Sequence, residues 1–198
     1  MTKHTRNLLL AATPVVAGAI VGSAIYTVYK RRRRLNPVTV SKVDLNRYAG
    51  RWYEIARFPQ RFERNCTNVE AHYTQKPDGS IQVINRCLKN GKLKVSTGKA
   101  TVTDTYTNSK LKVSFFWPIE GDYWIIGLDR DYKWALVGSP DGDALWILSR
   151  NPVLAQKTLA EILAIAAYKG YNLAKLEYTK QVPALAKSTG VTATIKQK

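Results

Sequence analysis

Two thiols, two imidazoles and scattered carboxylates are the reactive side chains this sequence offers. Cys66 and Cys87 are its only cysteines. They can pair as a disulfide or leave one thiolate as a nucleophile. Two are too few for a Cys-rich zinc module or a disulfide-dense mini-protein. The only histidines, His4 and His72, lie far apart, so no metal site and no cofactor is expected. Glu54 alternates with Trp52 and is an acid expected on a buried face with an arginine partner; no chemistry is assigned to it. What the chain has in quantity is large rings, 5 Trp and 11 Tyr among 198 residues. Such rings build cores, interfaces and the walls of ligand sites.

The formal charge of +17 looks like that of a nucleic-acid binder. Its distribution argues otherwise. Met1–Arg34 carries Lys3, Arg6 and the run Lys30–Arg34 without one acid, and the tail Thr179–Lys198 adds Lys180, Lys187, Lys196 and Lys198. Leu35–Tyr178 keeps 20 basic and 14 acidic residues, an ordinary surface balance, and no nucleic-acid partner is expected.

The basic cluster instead flanks Leu8–Tyr29, 22 residues without a charge. As a helix this run rises about 33 Å, enough for a hydrocarbon layer of ~30 Å. Tyr26 and Tyr29 sit where interfacial rings belong. A retained transmembrane anchor is therefore expected; a secretory signal cleaved after Gly22-Ser23-Ala24 is the alternative. No cysteine precedes Cys66, so no acceptor for N-terminal acylation is in sight and the helix itself is the expected tether. The positive-inside rule applied to Lys30–Arg34 places the remainder of the chain in the cytoplasm. A cysteine pair suits an oxidising compartment instead.

From Asp44 onward the hydropathy alternates with a period of two. Strands are expected at Arg51–Arg57, Asn68–Thr74, Ser80–Cys87, Lys92–Ser96, Gly98–Thr103, Lys110–Trp117, Tyr123–Asp129, Trp134–Val137 and Ala144–Ser149, with one or two of them merging. Turn residues such as Lys76-Pro77-Asp78-Gly79-Ser80 and Asn90-Gly91 punctuate them. Short connections make neighbours antiparallel, and a meander of about eight strands removes its two edges by closing. A 3.6 period appears only at Leu159, Ile162, Leu163 and Ala166, with Gly170 as its stop. Asn172–Lys180 reads as a last short strand. The expected fold is thus all-β, an eight-stranded antiparallel up-and-down barrel with a C-terminal helix packed outside and an N-terminal transmembrane helix. Its parts are an anchor (1–34), a linker (35–43), the barrel domain (44–180) and a basic tail (181–198). Parity puts Val69, Ala71 and Tyr73, then Ile81, Val83, Asn85 and Cys87, and then Leu111, Val113, Phe115 and Trp117 on inward faces. An eight-stranded barrel either holds one small ligand or is filled by side chains, and periodicity alone leaves both open.

Asn46-Arg47-Tyr48-Ala49-Gly50-Arg51-Trp52-Tyr53-Glu54-Ile55-Ala56, then Asp129-Arg130-Asp131-Tyr132, then Trp146-Ile147-Leu148-Ser149-Arg150-Asn151-Pro152 resemble, in order and spacing, the three motifs of the lipocalin family of calycins. The match spans about Val43–Tyr178 and is nearest the bacterial outer-membrane and apolipoprotein D branch. The resemblance implies structural roles for Gly50, Trp52, Asp131, Tyr132 and Arg150, with Trp52 and Arg150 stacked at the closed end. It implies ligand contacts for Tyr73, Asn85 and Trp146; Phe115 and Trp117 join them from parity. It also implies a hydrophobic small-molecule partner and a place in the bacterial envelope, where the domain is expected to be periplasmic despite the flanking charges. The basic balance favours an anionic lipid head, as in a fatty acid or lysophospholipid.

The hairpin brings Cys66 and Cys87 together, so a disulfide is expected and no enzymatic activity. The alternative is a lipocalin-type enzyme with Cys87 as an unpaired nucleophile inside the barrel, although His72 has outward parity and leaves it no base. A purely structural barrel with a filled interior is the third reading.

Overall fold

A computed structural model of the chain describes residues 35–181. The expected anchor helix and most of the tail lie outside the described residues. No helix among the described residues is long and apolar enough to cross a membrane.

Among the described residues nine strands succeed one another: β1 (Gly50–Arg57), β2 (Cys66–Gln75), β3 (Ile81–Lys89), β4 (Lys92–Val102), β5 (Lys110–Phe116), β6 (Ile119–Leu128), β7 (Trp134–Gly138), β8 (Leu145–Ser149) and β9 (Glu177–Tyr178). Each pairs antiparallel with its neighbour from β2 to β8, then β8 with β1, and β1 closes the cylinder on β2. Closure leaves the eight-stranded cylinder without a free edge.

Local chemistry explains the reversals. Asn90 (φ 52°) and Gly91 (φ 74°) both take the left-handed conformation that a two-residue hairpin needs between β3 and β4. At the β2–β3 turn the Asp78 carboxylate accepts from the Ser80 N–H and hydroxyl. The two strands expected at Lys92–Ser96 and Gly98–Thr103 are one continuous β4. Gly98 does not break it; it makes room for a neighbour. A Cβ there would meet the Phe115 ring at 2.8 Å and the Ser114 carbonyl at 2.7 Å.

Two apolar clusters share the sheet. The inner one lies inside the barrel and includes Trp52, Tyr73, Ile81, Val83, Leu111, Ile125 and their neighbours. The outer one lies between the wall and the helix Gln156–Tyr168, where Ile162 and Ala166 are fully buried against Ile126, Leu136 and Ile147. Gly170 (φ 89°) ends that helix, and the Tyr171 N–H returns to the Ala166 carbonyl. Tyr171 then clamps the helix to the barrel, its hydroxyl donating to the Ser139 carbonyl at 2.8 Å.

The expected last strand is shorter than its sequence signal. Leu173–Lys175 forms a 3-10 turn and only Glu177–Tyr178 pairs, on the far half of β1 where β2 has diverged. The segment behaves as a wedge. The Thr179 N–H donates to the Ile55 carbonyl, Asn68 donates to Lys180, and the Gln181 amide donates to both Glu54 and Val69 carbonyls. It thereby joins β1 to β2 where their direct pairing stops.

Candidate functional site

The up-and-down path defines two ends. Gly50 starts β1 at the end where the loops 76–80, 103–109 and 129–133 also lie. The loops 58–65, 90–91, 117–118 and 139–144 lie at the other.

The first end is shut. The one-turn helix Leu45–Tyr48 crosses it, capped by Asp44, whose carboxylate accepts from the Asn46 and Arg47 N–H groups. Trp52 is fully buried beneath, its indole N–H donating to the Tyr48 carbonyl at 2.8 Å. The Arg150 guanidinium stacks 3.7 Å from the Trp52 ring centre, as the motifs imply. Its N–H groups also donate to the carbonyls of Arg47, Ala49, Arg51 and Tyr132. Gly50 (φ 88°) lets the chain turn beside that guanidinium, 3.5 Å from where a Cβ would stand. Tyr132 accepts from the Asp44 N–H, and its ring carries Arg47 at 4.2 Å. Asp131 pairs with Lys133 in solvent, a surface role.

Above this floor, Tyr48, Tyr73 and Tyr123 meet by their hydroxyls. The Tyr123 oxygen lies 2.7 Å from that of Tyr48 and 3.0 Å from that of Tyr73. Burial raises all three phenols above their ordinary range, Tyr73 to about 12, so they are neutral hydrogen-bonding groups. Tyr73, expected to contact a ligand, pairs with Gly50 across the sheet and has its hydroxyl engaged. It belongs to the floor of the lumen and not to its mouth.

Nearer the open end the lumen becomes polar. The β1 register shifts between Glu54 and Ala56, so Arg57 returns to the face that Glu54 and Trp52 share. Arg57 is buried between two acids, its Nε 3.4 Å from Glu54 and 3.2 Å from Glu63, while Nη1 reaches Glu177 at 2.7 Å. The two Nε contacts are off-axis, and neither Arg57 Nε nor Glu63 Oε2 completes a hydrogen bond. Loss of water therefore outweighs the attraction. Burial, with the Glu54 charge adding to it, pushes the Glu63 carboxyl up to about 8; Glu54 is also raised by burial, against a hydrogen bond from the Thr179 hydroxyl and the pull of Arg57. The Trp146 ring packs on the inner cluster, and its indole lowers the Glu63 carboxyl slightly against the effect of burial.

Asn85 shares the inward face of β3 with the buried Ile81 and Val83, and its Oδ1 is buried with no hydrogen-bond partner. Phe115 packs inward on the core. Trp117 does not. It is 89% exposed, because β5 ends at Phe116 and its register slips between Val113 and Phe116, so parity counted from Leu111 does not carry to 117. Cys66 and Cys87 are joined by a disulfide, and no cysteine is left free. Neither thiol is available as a nucleophile. Among the described residues no cluster of ligating side chains suits a metal ion.

Two hollows on the described residues lie away from the inner apolar wall. One of about 420 Å³ opens at the closed end between Val40–Lys42 and Leu128–Tyr132, and one of about 180 Å³ lies beside Arg57 and the β1–β2 loop. The Glu54–Arg57–Glu63 cluster and the tyrosine floor were not foreseen as units. Inward parity at Glu54 was the one signal for the first, and a β-bulge hid its partner.

Residues 43–181 match the family model of a lipocalin-like domain. The outer membrane lipoprotein Blc of Escherichia coli is 41% identical over 170 residues, covering 85% of this chain and 96% of its own. Temperature-induced lipocalin-1 of Arabidopsis thaliana is 40% identical over 72% of this chain and 81% of its own, and bovine apolipoprotein D 32% identical over 88% and 94%. Among solved structures, insecticyanin of the tobacco hornworm Manduca sexta superposes with a TM-score of 0.62 at 22% identity, covering 75% of this chain and 86% of its own. With the closed barrel, the Trp52–Arg150 stack and these matches together, the chain belongs to the lipocalin family.

Proposed function

We propose that the protein binds a single-chain amphiphilic lipid, apolar chain inward, and carries it in the bacterial envelope. The envelope setting rests on the relative from Escherichia coli, an outer membrane lipoprotein by name. The membrane attachment rests on the apolar run Leu8–Tyr29. Each methylene taken out of water contributes about 0.8 kcal/mol, so an acyl chain lying against Phe115, Trp146 and Val83 reaches micromolar affinity after association costs. Arg61, Arg64, Lys92 and Lys94 are exposed at the open rim, where an anionic head would remain.

The observation that carries this reading is the buried, unpaired Oδ1 of Asn85. A buried acceptor without a partner is costly, and a ligand donor relieves it. An ionised fatty acid has no donor to offer. The free glycerol hydroxyl of a lysophospholipid does, so we favour the lysophospholipid.

Titration of the full chain with lysophosphatidylglycerol and with palmitate, followed by tryptophan emission, tests the assignment. Saturable binding is expected with the lysophospholipid tighter, and Asn85→Leu is expected to lose about fivefold for it and little for palmitate. No emission change with either lipid, together with no lipid in native mass spectra of the purified protein, would overturn the reading. That result favours a filled structural barrel, for which the packed tyrosine floor speaks.

A further inference from the structure

Three adjacent hairpins end at the open rim, β1–β2, β3–β4 and β5–β6, and each presents an apolar side chain to water. Phe62 is 61% exposed, Leu93 64%, Phe116 78% and Ile119 74%, with Trp117 the most exposed of them. On β5–β6 these form an unbroken run, Phe116-Trp117-Pro118-Ile119. Four consecutive exposed apolar residues are a liability in a protein surrounded by water, and a contiguous apolar patch marks a contact surface. The β3–β4 hairpin adds to this by projecting past its neighbour. Residues 92–97 are exposed on both faces, since β5 pairs with β4 only from Lys99 onward.

Charge selects the occupant. Arg61, Arg64, Lys92 and Lys94 stand exposed on the same tips. Glu63, the acid of the first loop, is turned inward to Arg57, and Asp122 is held by Lys112, which leaves Glu120 as the exposed acid of these three hairpins. The fourth loop, between β7 and β8, carries Asp141 and Asp143 instead and lies across the rim from the β3–β4 tip. Apolar tips, one of them a Trp, amid basic side chains match the boundary between anionic head groups and acyl chains. A second copy of this chain would set basic rim against basic rim.

We propose that the open rim docks on an anionic lipid surface, with Phe116, Trp117 and Ile119 entering the acyl boundary and Arg61, Arg64, Lys92 and Lys94 resting on the head groups. Docking stands apart from the ligand-binding reading. If both hold, a chain passes between bilayer and lumen without crossing water.

The test uses the full chain with vesicles whose acyl chains carry bromine, which quenches nearby tryptophans. Trp117 is read as the difference between the wild type and Trp117→Phe, and the lumen as the difference between the wild type and Trp146→Phe. This attribution is independent of any attachment through Leu8–Tyr29. In phosphatidylglycerol vesicles the Trp117 component is expected to be quenched. In phosphatidylcholine vesicles it should be quenched much less. In Lys92→Glu/Lys94→Glu the quenching is expected to titrate in at anionic-lipid fractions several times higher, since each lost basic residue weakens attraction about fivefold. Ile119→Lys is expected to lower Trp117 quenching while leaving the thermal melt unchanged. Equal quenching of wild type and Trp117→Phe overturns the proposal. So does quenching indifferent to lipid charge, or a lipid-free dimer in sedimentation whose Trp117 stays unquenched. A failed ligand titration with Trp117 still quenched removes only the ligand reading.

Discussion

Replacing Glu63 by Gln should remove a large part of the pH dependence of stability between pH 5 and 8. In the folded barrel this carboxyl is pushed up to about 8, burial being the largest cause, from an ordinary value of 4.5. A group with a raised folded pKa binds its proton more tightly in the native state. Stability is therefore greatest at or below the unfolded pKa and declines as pH rises through the folded one. The interval of about 3.5 pH units at about 1.36 kcal/mol each sets an upper limit of about 5 kcal/mol, a slope near 1.4 kcal/mol per unit in the middle of the window. Sharing of charge with Glu54 across Arg57 lowers the total and cannot change its sign. Asp78 and Asp104 are exposed and shifted downward, so their contributions fade only in acid, outside this window. Gln keeps the shape of a neutral Glu. Urea unfolding at pH 5, 6.5 and 8 reads the effect. The wild type should lose stability with rising pH, and Glu63→Gln should lose less, keeping only the slope that the raised Glu54 carboxyl leaves, and be the more stable at pH 8. Parallel curves for the two proteins would refute the placement of Glu63 as a buried acid that native packing keeps protonated.

Three further perturbations probe the frame around the lumen. Arg150→Lys keeps the charge but loses the planar fork that reaches four strand and loop carbonyls. A cost of about 3 kcal/mol, or roughly 6–12 °C in the melting midpoint, is expected by calorimetry, against nothing if the stack is ornamental. Gly138→Ala would place a Cβ 2.6 Å from Tyr171 Cζ, forcing the buried ring and its bond to Ser139 aside; about 2 kcal/mol is expected by denaturant unfolding. Cys66→Ser with Cys87→Ser opens a loop spanning a separation of 21 residues, which the chain-entropy relation sets at about 3 kcal/mol, measurable as the gap between oxidised and reduced wild type.

How much of this was legible depends on which signals are local. Alternation over five or more residues marked the strands of the barrel, because a two-residue period fixes a face wherever one side is buried. The stripe Leu159, Ile162, Leu163, Ala166 marked the helix and the face it buries. The Trp52–Arg150 stack was legible through motif resemblance, since nothing local ties two residues so distant in the chain. Irregularities were not legible. Parity fails after a register slip, and two of the sheet's slips, at Glu54/Ala56 and Val113/Phe116, explain both the unforeseen inward turn of Arg57 and the outward escape of Trp117. The expected strands Lys92–Ser96 and Gly98–Thr103 are one, because a lone glycine reads the same whether it begins a strand or receives a ring inside one. The basic composition suggested an anionic lipid head, whereas the ionisable side chains that are buried are Glu54, Glu63 and Arg57.

The two ends of the barrel differ in how fully their polar groups are satisfied, and that difference gives the lumen a direction. At the closed end Arg150 reaches the carbonyls of Arg47, Ala49, Arg51 and Tyr132, and Asp44 caps the crossing helix. At the open end Asn85 Oδ1, Arg57 Nε and Glu63 Oε2 are buried without hydrogen bonds, and each costs stability that an added donor or acceptor would return. A guest gains little by pushing toward a floor whose hydroxyls already bind one another. It gains most where those groups wait, just beneath the exposed apolar tips, so the same imbalance that favours binding also places it on the side from which a lipid would arrive.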